Sequence, residues 1–249
     1  MTSDELYQGL SQLFSAHGFN LIRLIKAEDY DRKALGKRRI SNLLPGANSL
    51  ILVGFAGKDF WKILQTFLGE NSEFTNTREH WVDDYTLFSF ESARQILEEE
   101  KTNYKMSFPF DHTDYTLDFS KLGELGGVGV KSLLGILIHP EYGSWISLRG
   151  AIITDLEFKA YDKPLDYFDP CPPCPKPCIS ACPANTISEN NGWDYHACMR
   201  FRITSDTCKD NCASRRACPY GKEHQYSEEQ LVHHHRFVLR SIKSHFQKA

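Results

Sequence analysis

"CPPCPKPCISACP", residues 171–183, sets four cysteines among five prolines. No cysteine precedes it: all eight in the chain lie between Cys171 and Cys218. A run so dense in thiols reads as a ligand array, a disulfide knot or a rigid linker, and its spacing separates these readings. The first set is Cys171-x2-Cys174-x3-Cys178-x3-Cys182-Pro183; the second is Cys198, then Cys208-x3-Cys212-x5-Cys218-Pro219. Each ends in Cys-Pro, as in the bacterial two-cluster ferredoxin run, where the fourth cysteine ligates the other cluster. Proline then fixes the chain direction after that ligand. The pattern assigns Cys171, Cys174, Cys178 and Cys218 to one 4Fe–4S cluster and Cys182, Cys198, Cys208 and Cys212 to a second.

The spacing departs from the ferredoxin run, which has two residues between its second and third cysteines. Here Pro175, Lys176 and Pro177 supply three. Structural zinc tolerates such gaps but leaves the paired Cys-Pro endings unexplained. Disulfides need an oxidising compartment. One surviving cluster with spare cysteines is the remaining alternative.

The 249-residue chain is 41% hydrophobic and 24% charged, the composition of an ordinary globular protein. A net charge of −3 gives no general basic field, so the charge balance does not point to nucleic acid. The N-terminus "MTSDELYQGLSQLF" is acidic and amphipathic, unlike a signal peptide. No stretch approaches the ~18 consecutive apolar residues of a membrane span. A cytoplasmic protein without a membrane partner is expected.

Residues 4–17 carry Leu6, Leu10, Leu13 and Phe14 at helical spacing, with His17-Gly18 as the stop. "FNLIRLIKAED" and the apolar run Leu50–Val53 read as strands. "KDFWKILQTFLG" reads as a helix with Phe60, Ile63, Leu64 and Phe67 on one face. "HWVDDYTLFSFESARQILEEEK" reads as irregular at first, then helical through "SARQILEEE". "KMSFPFDH" reads as a strand entering a loop. "GSWISLRGAIITDLEF" reads as two strand-like pieces on either side of Arg149-Gly150. Alternating helices and strands over about 160 residues predict an α+β or α/β body with one main sheet. The expected boundaries are a body at 1–160, a cysteine module at 161–222 and a C-terminal helix at 223–249 capped by Ser227. Such an apolar-poor module needs metal or cluster bonds to fold. His233, His234 and His235 fall on that helix and cannot all face one way, so they are not read as a joint metal site.

"GILIHPEYGSWISLRGAIITDLEF", residues 135–158, followed by a cysteine module, resembles the epoxyqueuosine reductases. The same stretch resembles the cobalamin-processing decyanase/dealkylase family, as do "LLPGANSLILVG", "WDYHACMRFR" and "QYSEEQ". Both resemblances imply an α+β, nitroreductase-like body that binds cobalamin, and the reductases further imply a small ferredoxin-like module with two 4Fe–4S clusters. They imply a corrinoid pocket lined by Gly127, Gly129, Lys131, His139, Tyr142, Gly143, Ser144 and Trp145. The processing family further implies glutathione binding by Arg149, with Arg202, or Arg200, as a second arginine. The reductases imply a proton-donating aspartate, for which Asp111 and Asp114 are the candidates; the Ala-Pro-x-x-Glu-Arg that normally follows is absent from "DHTDYTLDFS".

The implied activity is electron transfer through the clusters to a bound corrinoid, from an external donor such as a flavodoxin or ferredoxin. Reductive removal of the corrinoid's upper ligand is placed first. Deoxygenation of a tRNA nucleoside is the alternative, and a non-catalytic electron carrier or zinc-stabilised interaction protein the third reading.

Overall fold

The computed structural model describes residues 1–246 apart from 79 and 112, and the side chains of the last helix only as far as Leu239. The chain divides into two compact units that are not consecutive in sequence. The first comprises residues 1–129 and 146–166; the second comprises 130–145 and 167–249.

The first unit is built on four strands: β1 (Leu21–Lys26), β2 (Ser49–Ala56), β3 (Tyr104–Ser107) and β4 (Ile146–Thr154). They form an antiparallel sheet in the order β1-β2-β4-β3. Every residue of β2 is buried, which is why its sequence is a continuous apolar run without alternation. The unit's longer helices are α1 (Ser3–Ala16), α2 (Asp59–Glu70), α3 (Trp81–Glu99) and α4 (Phe119–Leu125). Thr2 and Glu5 close a capping box at the start of α1.

The α+β class stands, with three local corrections. α3 is helical from Trp81, not only through "SARQILEEE". Its first half buries Val82, Tyr85, Thr86, Ser89 and Phe90, a helical stripe obscured in the sequence by its polar members. On α2 the buried face is Phe60, Trp61, Leu64 and Leu68, so it is rotated relative to the expected stripe. The two strand-like pieces around Arg149-Gly150 are one strand. In its register Val53 faces Gly150 while Gly54 faces Leu148, so Arg149 is the extra residue of a β-bulge. Gly150 is required there because a Cβ would lie 2.5 Å from Cζ of Phe90 on α3.

Residues 161–166 pack with the first unit, whereas the sequence reading began the cysteine module at 161. The Asp162 carboxylate accepts from the Leu24 N–H (2.8 Å), and the Tyr161 hydroxyl hydrogen-bonds Ser49 Oγ (2.9 Å). These bonds tie the segment to β1 and β2.

The second unit contains two-stranded ribbons at Val130–Lys131 with Leu137–Ile138 and at Ile187–Ser188 with Gly192–Trp193. Its helices are α5 (Pro177–Ser180), α6 (Tyr195–Thr204), α7 (Ala213–Ala217) and α8 (Glu228–Phe246). The Ser227 hydroxyl accepts from the Gln230 N–H (3.2 Å), the cap expected for α8. One small core joins Leu134, Ile138 and Ile187 to Cys178, Cys182 and Cys218. Residues 130–145 belong to this unit rather than to the body because Leu134 and Ile138 help form that core. Among the described residues no helix is long and apolar enough to cross a membrane.

Candidate metal centre

The eight cysteines occupy the turns and short helices of the second unit, and all are free thiols, so no disulfide knot forms. Cys171 and Cys174 lie in one turn, closed by the Cys174 N–H donating to the Cys171 carbonyl (3.2 Å). Lys176, in the left-handed region at φ +53°, turns the chain into α5, which begins at Pro177 and carries Cys178. The extra residue in the cysteine spacing is therefore absorbed by a tight turn. Cys198 rides on α6, whose N-cap Asp194 accepts from the Ala197 N–H (2.9 Å). Cys208 ends a 3-10 turn, Cys212 is the N-cap of α7 and Cys218 its C-cap.

Mutual influence sorts these thiols into two groups. Burial raises the Cys178 pKa, and Cys218, Cys171 and Cys174 raise it further; Cys218 is raised by burial and then by Cys174 and Cys171. Burial pushes Cys208 up to about 11, with Cys212, Cys198 and Cys182 adding to it, and Cys198 is raised by burial, Cys212 and Cys182. The groups are thus Cys171, Cys174, Cys178, Cys218 and Cys182, Cys198, Cys208, Cys212. Cys182 differs in sign. Burial acts to raise it, but hydrogen bonds from the Thr186 side chain, the Thr186 and Ala184 backbone and the Ser214 side chain prevail and lower it.

Among the described residues no three His, Cys, Asp or Glu side chains converge on the position of a single metal ion. Cys178, Cys182 and Cys218 are buried and the other five cysteines half-buried. Backbone donors already face two of the sulfurs: Lys176 N–H to Cys174 Sγ (3.3 Å) and Thr186 N–H to Cys182 Sγ (3.5 Å). Such bonds to cluster sulfurs tune reduction potential.

The "HPEYGSW" segment serves this module directly. His139 Nδ1 accepts from the Glu141 and Tyr142 N–H groups (3.0 and 3.2 Å), closing the turn. Gly143, at φ +57°, lies against the backbone of Tyr220 and Gly221, just past Cys218-Pro219. Trp145 is fully buried, with the Arg215 guanidinium 4.5 Å from its ring and Tyr226 packed edge-on at 5.4 Å. Arg215, on α7 between Cys212 and Cys218, also donates to the Ser144 carbonyl.

The residues expected to line a corrinoid are divided between the units. Gly127, Gly129 and Arg149 lie in the first; Lys131, His139, Tyr142, Gly143, Ser144, Trp145 and Arg202 lie in the second. Several are engaged within their own unit. Gly127, at φ +64°, leaves only 2.3 Å between a Cβ and the Lys163 carbonyl oxygen. Gly129 is buried and Lys131 exposed. Arg149 forms an ion pair with Asp83, donates to Thr86 Oγ1 (3.4 Å) and lies 5.2 Å from the Phe110 ring centroid. Arg202 is buried against His235 on α8, while Arg200 is exposed. Neither unit by itself contains the whole set of corrinoid candidates. Asp111 and Asp114 are exposed: the first accepts from the Phe108 N–H (3.0 Å) within its own turn, and the second pairs with Lys37 (3.0 Å).

The sequence reading missed one surface. Between Arg32 and Arg39, "RKALGKRR", five basic residues are exposed. Asp31 holds the loop closed by accepting from the Ile40 and Ser41 N–H groups (2.6 and 3.0 Å). Arg32 pairs with Glu28 and Asp29, and Lys37 with Asp114; Lys33, Arg38 and Arg39 have no acidic partner among the described residues. The whole-chain charge hid this local run because "AEDYD" directly precedes it.

The chain shares its fold with solved structures of low sequence identity. The fold matches an epoxyqueuosine reductase crystallised with a tRNA-Tyr epoxyqueuosine-modified stem loop at a TM-score of 0.59, 17% identity, covering 92% of this chain and 69% of that one. It matches the B12-trafficking protein CblC of C. elegans at 0.61, with 12% identity and 96% of both chains covered. In sequence, the chain is similar to two curated epoxyqueuosine reductases. It is 27% identical to the Listeria monocytogenes enzyme over 124 residues, 42% of this chain and 30% of that one. It is 26% identical to the Synechocystis enzyme over 168 residues, 66% of this chain and 54% of that one. The matches thus span a third to a half of these curated relatives. No protein-family model matches the chain.

Proposed function

We propose that the chain is an iron–sulfur reductase of the epoxyqueuosine type, which passes electrons from an external donor of the flavodoxin or ferredoxin class to a tRNA nucleoside. The gathering of all eight free thiols in the second unit carries this reading. Cys171, Cys174, Cys178 and Cys218 would hold one 4Fe–4S cluster, and Cys182, Cys198, Cys208 and Cys212 the other. Bound there, a cluster supplies a one-electron carrier of tunable potential.

The chain's own residues orient and insulate these sites. The Leu134, Ile138 and Ile187 core keeps water from Cys178, Cys182 and Cys218. The Gly143 turn and Trp145 anchor the Cys218-Pro219 segment and α7. Lys33, Arg38 and Arg39 supply a fixed positive surface for nucleic-acid phosphates. This local surface and the sequence relatives favour the tRNA reading over cobalamin processing, which the sequence reading placed first. Thiols of this kind need a reducing compartment, consistent with a cytoplasmic setting.

Anaerobically loaded protein should be assayed with a reductant for conversion of epoxyqueuosine in a tRNA stem loop, beside decyanation of cyanocobalamin. Conversion of the tRNA nucleoside is expected. Decyanation alone would move the assignment to cobalamin processing, and a loaded chain inactive in both assays with no hydroxocobalamin binding would reduce it to an electron carrier.

A further inference from the structure

Arg202 is 9% exposed, and among the described residues no carboxylate pairs with it. Its Nη2 lies 3.3 Å from both Nδ1 and the carbonyl oxygen of His235, and its Nε has no partner. His235 brings no negative charge. A buried guanidinium without an acid costs several kcal/mol unless another negative group answers it.

The second group of thiols offers such charge. Cys198 and Arg202 stand four residues apart on α6, hence on one helix face. His235, which holds Arg202, is itself hydrogen-bonded to the backbone at Cys208. We infer that Arg202 is a positioning residue: a fixed counter-charge for the cluster held by Cys182, Cys198, Cys208 and Cys212, which sets that cluster's reduction potential above that of its neighbour. Four thiolates around an iron–sulfur cube leave a net negative charge that grows on reduction, so a buried cation beside them favours the reduced form. Electrons delivered to the module would then settle on the Arg202 side. In the other group, Lys222 near Cys218 is exposed, and Lys176 beside Cys174 is already answered by Glu189 (3.2 Å).

This inference rests on the cluster reading, and the test separates the two. Wild type, Arg202→Gln and Arg202→Lys are loaded anaerobically as full chains. Iron and sulfide are measured, and each cluster is titrated potentiometrically by EPR. A wild type that takes up no iron overturns the cluster reading itself. With wild type loaded, Arg202→Gln should keep its iron and lower one of two midpoint potentials by at least tenfold in the reduction equilibrium, about 59 mV for one electron, leaving the other in place. Arg202→Lys should shift the same potential in the same direction by less, and it carries the test alone if the glutamine variant does not fold. Unchanged potentials in a loaded variant, or equal shifts of both clusters, would overturn the inference.

Discussion

Gly143 and Gly221 meet backbone to backbone. A Cβ on Gly143 would lie 2.0 Å from the Tyr220 carbonyl oxygen, and one on Gly221 would lie 2.3 Å from the Tyr142 carbonyl carbon. Both residues have positive φ, +57° and +67°. The contact locks the "HPEYGSW" turn onto the chain just after Cys218, a cysteine of the first group.

Gly143→Ala should therefore add about 1–3 kcal/mol of backbone strain and force that turn away from Cys218. Thermal unfolding should show a lower midpoint, and iron analysis should show selective loss of one cluster. Gly192→Ala is the control: its φ is also positive, +64°, but nothing lies within 4 Å of the added Cβ. It should cost stability without costing iron.

The Arg149–Asp83 pair sits at the bulge of β4, with side chains 11% and 28% exposed. Asp83→Asn weakens a charged hydrogen bond in a partly buried setting and should lower stability by about 1–3 kcal/mol. Chemical denaturation checks the magnitude. Iron content should stay at the wild-type level, because both residues belong to the first unit.

Replacing Lys33, Arg38 and Arg39 together by Gln removes three cations that lack acidic partners. Affinity for a tRNA stem loop should fall at low salt, and the slope of log affinity against log salt should flatten by roughly 0.7–0.9 per lost phosphate contact. Filter binding across a salt series reads this. An unchanged slope would remove this loop from the nucleic-acid surface.

His17 stacks on Phe88 and lies at a tilt beside Tyr85, and burial lowers its pKa below 6.5. The unfolded chain then takes up this proton at a higher pH than the folded one. The stability it contributes is present above about pH 6.5 and lost as pH falls through the folded pKa. His17→Gln should show a shallower loss of stability between about pH 6.5 and 5 in denaturant titrations. An equal slope would show that His17 does not carry it.

Much of the first unit is legible from apolar pattern alone. β2 reads as a strand because a central strand buried throughout needs no alternation. The first half of α3 does not, since Thr86 and Ser89 are buried by donating to the carbonyls of Val82 and Tyr85, a solution hydropathy cannot express. The grouping of the cysteines follows from their paired Cys-Pro endings. The roles of Trp145 and Gly143 do not, because a tryptophan covered by Arg215 and a glycine covered by Tyr220 depend on partners some seventy residues away. Arg202 was noticed, but its neighbour His235 lies on a different helix, so only the folded chain connects it to the cysteines.

The most direct test is iron and acid-labile sulfide analysis of anaerobically purified or reconstituted protein, with an absorption spectrum, for wild type and for Cys178→Ala and Cys208→Ala. Two 4Fe–4S clusters require about eight irons and eight sulfides per chain in wild type and about four of each in either variant, with broad visible absorption bleached by dithionite. A colourless chain holding stoichiometric zinc, or one in which a single substitution abolishes all iron binding, would contradict two independent clusters.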